Sequence, residues 1–261
     1  NSELAVIRYG KQEAKEKTYK IGVTQIVEHP SLDAAREGFE QALKDKGLSV
    51  KYDVQIAQGD QSNNQTIATN FASDGVDLIF ANSTPSAQAA LNATKDIPII
   101  FTSVTDPVGA QLVQSMEQPG GNVTGTTDTH PEAIPKTVEF ITKYIKGNRV
   151  GMVYNAGEQN SVAQVDQVKK AMEGTDLKIV SASVSTSAEV KQATESLVGK
   201  VDCLYIITDN TVVSALESVI QVANEHDIPL FVGELDSVKR GGFAAYGFDY
   251  YDIGYEAGEM A

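Results

Sequence analysis

The sequence predicts an α/β protein of two Rossmann-like lobes with parallel sheets, joined by a three-strand hinge. Three observations predict this class. Short β-branched runs alternate with helical patterns, the order expected of βαβ units with right-handed crossovers. A unit of buried strand, polar turn and helix occurs twice. In Asp77–Leu91 and Val201–Leu216, Asp77 aligns with Asp202, Thr84 with Asp209 and Ala90-Leu91 with Ala215-Leu216, 125 residues apart. The flanking strands repeat as well: Tyr19–Gln25 matches Asn148–Tyr154, and Ile97–Phe101 matches Ile228–Val232.

In chain order, Asn1–Lys17 is rich in Lys, Glu and Gln without periodicity and reads as a flexible tether. Strands are predicted at Tyr19–Gln25, Val50–Ala57, Asp77–Ala81 and Ile97–Phe101. Between them, Ser31 is placed as the cap of a helix to Lys46, with Leu32, Ala35, Phe39 and Leu43 on one face and Gly47 as its stop. Helices follow at Asn63–Ala72 and at Pro85–Ala93, which opens on proline. Thr102–Thr124 reads as irregular, with the passage to the second lobe near Thr124–Asp128. The second lobe then takes helix Glu132–Ile145, strand Arg149–Tyr154, helix Ser161–Met172, strand Leu177–Val184 and helix Ser187–Val198. Strand Asp202–Ile207, helix Thr211–Asn224 and strands Pro229–Val232 and Phe243–Tyr246 complete it. Further hinge connections are placed at Gly233–Asp236 and Gly247–Tyr250. The helix Asp249–Met260 carries no stop signal, so further residues are expected beyond Ala261. The domains are therefore 18–125 plus 249–261 for lobe one and 126–248 for lobe two.

The 261 residues carry 41% hydrophobic side chains and a net charge of −14. That is enough apolar material for real cores, and it argues against a nucleic-acid partner, because no basic patch would draw phosphates. The single cysteine, Cys203, falls in a predicted buried strand and is expected in the core. No apolar run approaches the ~20 residues of a membrane-spanning helix. P-loop, nucleophile-elbow, zinc-protease and Cys-x-x-Cys motifs are absent, so no catalytic residue, metal or cofactor is expected. His29 follows a strand end and reads most simply as a solvated loop histidine.

What is enriched is uncharged polarity at strand ends, where open α/β sheets bind ligands. The first lobe offers Gln25 and Glu28, then Ser83 and Thr84, then Thr102, Ser103 and Thr105. The second offers Tyr154, Asn155, Asn160 and Ser161, then Asp209 and Asn210, then Glu234 and Asp236. Hydroxyls at a helix N-terminus suit a carboxylate, and an acid on the opposite lobe suits an ammonium. Together they match an amino-acid zwitterion, with Asp209 as the expected ammonium acceptor if Thr208 takes over as helix cap. An aromatic side chain would pack near Tyr154 or Phe101. Taken singly, each of Ser83, Thr84, Asp209 and Asn210 reads more simply as a plain N-cap; their paired occurrence in two lobes is what favours a site.

Ile21–Phe39, Val104-Thr-Asp-Pro-Val108, Asn155 with Glu158–Gln164, Thr208–Ala215 and Val238-Lys-Arg-Gly-Gly242 resemble the substrate-binding proteins of bacterial ABC transporters. The group they resemble most is the tryptophan/tyrosine transport-system type, over Tyr19 to the chain end. The resemblance implies a periplasmic-binding-protein type 1 fold and an amino acid, Trp, Tyr or Phe, in the interlobe cleft. It also implies a monomeric extracytoplasmic lipoprotein, periplasmic or at the cell surface, with an ABC permease in the membrane as partner. The tether carries no lipid-bearing cysteine. Two other classes compete. The effector domain of a transcriptional regulator would need an N-terminal helix-turn-helix, which the tether does not supply. A racemase built on paired lobes would need facing cysteines or a Lys/His base, which one strand cysteine does not supply.

Overall fold

The computed structural model describes residues 17–242 and 249–261. The tether and the strand expected at Phe243–Tyr246 lie outside them, apart from Lys17. The chain enters on β1 (Thr18–Gln25), α1 (Pro30–Asp45), β2 (Ser49–Ile56), α2 (Gln61–Asp74), β3 (Leu78–Asn82), α3 (Thr84–Ala93), β4 (Ile99–Val104) and β5 (Val123–Thr127). These strands form one parallel sheet in the order β2-β1-β3-β4-β5. The chain continues through α4 (Ala133–Tyr144), β6 (Arg149–Tyr154), α5 (Gln159–Met172), β7 (Lys178–Ser183), a short 3₁₀ turn at Ser187–Glu189, and α6 (Val190–Glu195). It ends with β8 (Cys203–Ile206), α7 (Asn210–Ser214), α8 (Leu216–Glu225), β9 (Leu230–Val232), α9 (Leu235–Arg240) and α10 (Tyr250–Met260). The second sheet, also parallel, has the order β7-β6-β8-β9.

The strands β3, β4, β6, β8 and β9 are largely apolar and buried, as expected of parallel strands covered on two faces, whereas β2 and β7 at the sheet edges are mixed. Along β8 the side chains alternate between two cores: Leu204 and Ile206 pack with Val153, Val213 and Leu216, while Cys203 and Tyr205 pack with Met152, Val168 and Phe231. Burial pushes the Cys203 thiol up to about 12, so it is an inert core residue, as expected. The twofold repeat has a shared anchor. Asp77 accepts the N–H of Lys20, and Asp202 accepts the N–H groups of Asn148 and Arg149. In each lobe an acid just before the third strand therefore ties down the start of the first.

Several expectations are corrected. The passage at Thr124–Asp128 is mostly β5, a Thr/Gly strand without a hydrophobic pattern to announce it; it pairs with β4, so the first sheet runs to Thr127. The helix expected at Ser187–Val198 is only a 3₁₀ turn and α6. The helix expected at Thr211–Asn224 breaks at Ala215 (φ −120°, ψ 29°), where Ser214 turns its hydroxyl back onto the Thr211 carbonyl. Gly233–Asp236 is not a crossing: α9 packs on α8 and β9 within the second lobe. The described chain returns to the first lobe only at α10, which packs along α1. That contact is close because glycines make it. A Cβ on Gly38 would collide with the Tyr251 carbonyl oxygen, and one on Gly254 with the Ala35 carbonyl oxygen.

Candidate functional site

The carboxyl ends of the two sheets face each other, and the polar residues singled out from sequence gather there with unequal roles. On the first lobe, β3 and β4 end in unfavourable backbone: Ser83 has φ 135° and Ser103 φ 60°, positions where a Cβ is strained. Their side chains hold that geometry. Ser103 donates to Asn82 Oδ1, and Asn82 Nδ2 donates to Gln25 Oε1 and to the Leu32 carbonyl. Gln25 donates in turn to Asp33 and to the Val27 carbonyl. Gln25 and Ser103 are thus spent on bracing the strand ends. Ser83 caps α3 by accepting from Ser86 N–H, which leaves the neighbouring Thr84 free of that duty. Thr84 is fully buried, yet its Oγ1 has no hydrogen-bond partner among the described residues. Glu28 is exposed and takes no part in the buried seam.

On the second lobe the sequence reading of Asp209 needs correction. Thr208 does not cap the helix, because Gln164 Oε1 accepts its hydroxyl and its N–H. Asp209 is the cap: Oδ1 accepts from Val212 N–H at 2.8 Å, and Oδ2 accepts from Asn155 N–H and Ser161 Oγ, both at 2.6 Å. It is fully buried beside Glu158, which the sequence reading missed. Burial and the neighbouring Asp209 charge push the Glu158 carboxyl well above the usual carboxylate range, and burial raises Asp209 as well. Asn155 is likewise committed, accepting from Gly157 N–H and donating to Thr211 Oγ1. Tyr154 packs on the second lobe's core, and Phe101, also expected near the ligand, is buried in the first lobe's core.

What remains unsatisfied is informative, because buried polar atoms are nearly always paired. Asn160 donates its amide to the Thr208 carbonyl, but its Oδ1 has no partner among the described residues; neither has Gln159 Oε1. On the first lobe Asn64 donates to the Pro85 carbonyl, leaving its Oδ1 without one. Two further orphans, Thr24 Oγ1 and Arg36 Nε, sit on β1 and α1. The N-terminal turns of α3 and α5 therefore present Thr84 with neighbouring Asn64 on one side, and Gln159 with Asn160 on the other. The two helices touch across the seam. The lobes also bond directly. His29 Nε2 donates to Asn210 Oδ1 at 3.0 Å, and Ser31 Oγ donates to Glu234 Oε2 at 2.6 Å. His29 is not the solvated residue expected: it is 4% exposed, it caps α1 in place of Ser31, and burial lowers its pKa to about 4.

Two parallel α/β lobes that meet over a polar seam with unsatisfied groups on both sides define a bilobal solute-binding protein. The chain belongs to the ABC transporter substrate binding protein family, whose model matches residues 20–261. A relative named tyrosine-binding protein, from Clostridioides difficile, is 50% identical over 96% of this chain and 74% of its own length. A Streptococcus pneumonia ABC domain solved in complex with L-Trp superposes with TM-score 0.88 at 34% identity, over 94% of this chain and 83% of that one. A substrate-binding protein with adhesive properties from Clostridium difficile, solved in a ligand-free, open form, is more similar in sequence at 47%. It covers 93% and 83% of the two chains but superposes with TM-score only 0.63. The arrangement seen here is thus nearer that of the Trp complex.

Proposed function

We propose that this protein is the amino-acid receptor of an ABC importer and binds an aromatic amino acid, tyrosine or tryptophan, between its lobes. The observation that carries the reading is the set of unsatisfied buried groups on both sides of the seam. Asn160 Oδ1 and Asn64 Oδ1 are acceptors, fixed as such by their amide N–H bonds to carbonyls, and they call for a donor such as an α-ammonium. Thr84 stands in the first turn of α3, where hydroxyl and helix dipole suit a carboxylate. This moves the ammonium from Asp209, whose oxygens are already engaged, to neutral amide oxygens. The aromatic preference is supported by the relatives named for tyrosine and solved with L-Trp. The same reading makes the protein a non-catalytic, extracytoplasmic, lipid-anchored monomer that docks on a membrane permease. No described helix is long and apolar enough to cross a membrane. Isothermal calorimetry with L-tyrosine, L-tryptophan, L-phenylalanine, L-leucine and D-galactose tests the ligand. The aromatic three should bind at least tenfold tighter than leucine; tighter binding of leucine or galactose would overturn the proposal.

A further inference from the structure

We infer that Ser31 with Glu234 and His29 with Asn210 form a latch that holds the lobes closed, and that through it ligand binding takes up a proton. The inference rests on the reading that the lobes close over an amino acid. Both bonds run directly from lobe to lobe and need no ligand between them. Both start at the N-terminus of α1, and all four residues are buried. Glu234 precedes α9 and is 3% exposed, a placement a carboxylate tolerates poorly without a cation. Among the described residues its charged and titratable surroundings are Asp128, Asp236, Arg240 and Tyr250. Of these Arg240 is the one cation, and Glu217 already pairs with it at 2.7 Å.

Burial raises the Glu234 carboxyl from the ordinary 4.5 to about 8; the Ser31 hydroxyl opposes that shift, and Asp128 and Asp236 add to it. Closing the seam therefore protonates it at neutral pH, and the acid can then also donate. His29 works in the opposite sense. Its Nδ1 accepts from Leu32 N–H while Nε2–H donates to Asn210, so the latch needs the neutral ring. Asp33, Asp236 and Arg240 are the charges around it. Asn210 is fixed from behind, donating to Glu158.

The signs follow from linkage. Glu234, raised on closure, favours the closed form most below pH 4.5 and loses that contribution as pH rises through about 8. His29, lowered on closure, favours it above 6.5 and loses that contribution as pH falls toward about 4. Between pH 6.5 and 8.5 the glutamate dominates, and affinity should fall by about tenfold. Between pH 5 and 6.5 the two oppose each other, and affinity should stay within about twofold.

Calorimetry with L-tyrosine at pH 7.5, in phosphate, HEPES and Tris, counts the protons. Wild type should take up roughly two-thirds of a proton per ligand. E234Q keeps the shape and an acceptor for Ser31 but should take up none, and its affinity should rise only about twofold from pH 6.5 to 8.5, the part left to His29. S31A should bind more weakly and still show uptake. Equal uptake by wild type and E234Q, or none by wild type, would overturn the latch. If neither L-tyrosine nor L-tryptophan gives heat, the ligand reading is what has failed. The latch is then decided on ligand-free protein: the melting temperature of wild type should drop relative to E234Q from pH 6.5 to 8.5, and a parallel drop would overturn it.

Discussion

Thr84 and Asp209 occupy matching places in the repeat and do different work. Thr84 Oγ1 makes no hydrogen bond within the described protein, so its removal breaks nothing there. T84V should leave the unfolding free energy within about 1 kcal/mol of wild type while weakening L-tyrosine binding at least tenfold, about 1.4 kcal/mol. Urea denaturation alongside calorimetry separates the two effects. Asp209 behaves conversely. Its carboxylate satisfies two N–H groups and a hydroxyl in a buried place, and bonds to a charged partner are worth about 1.5–3 kcal/mol each. D209A should therefore lose about 3 kcal/mol or more of stability in urea, well beyond a lost cap. Full stability with abolished binding would return Asp209 to the role of ammonium acceptor. The difference arises from one residue of slip. Counted from the aligned Asp77 and Asp202, the cap is Ser83 in one lobe and Asp209 in the other, so the residue equivalent to Thr84 is Asn210, which reaches across to His29.

Among the elements, α10 has the most exacting fit. It lies on α1 through Gly38, Gly254 and Gly258; an added Cβ would meet backbone at the first two, and the Ala42 Cβ and the Phe39 carbonyl at Gly258. Overpacking of that kind costs about 1–3 kcal/mol where neighbours can give, and more where they cannot. G38V should lower stability by about 3 kcal/mol or more in thermal and urea unfolding. G47A, at a helix exit with φ 72° and open space around it, should cost about 1 kcal/mol through backbone strain alone. α10 also reaches the interlobe passage: Tyr250 donates to Asp128 Oδ2 at 2.6 Å, and Thr126 donates to the Ile253 carbonyl. Loosening the helix should therefore weaken ligand binding together with stability.

For the whole molecule, we read the direct bonds between lobes, with the closer match to a ligand-bound relative than to an open one, as the closed end of a hinge motion. Small-angle scattering should show a smaller radius of gyration with saturating L-tyrosine than without it. An unchanged radius would mean that ligand and closure are not linked.

The sequence alone determined the two-lobe α/β plan, because strand and helix periodicities are local and the unit repeats with Asp77 aligned to Asp202; that both acids anchor a first strand came only from the structure. The sequence also determined which strand ends carry the polar residues, most of which precede a helix; the β4 end, with Ser103 and Thr105, leads instead through an irregular segment to β5. β5 escaped it, because Val-Thr-Gly-Thr-Thr takes its strand identity from pairing with β4 rather than from a pattern of its own. Only the tertiary structure decided which polar residues are spent on the fold and which remain free. That is settled by partners far along the chain: Gln25 with Asn82, Ser161 with Asp209, Ser31 with Glu234 more than 200 residues away. A side chain's hydrogen-bonding capacity is written in its identity, but what is left of it after folding depends on which groups the fold brings within reach.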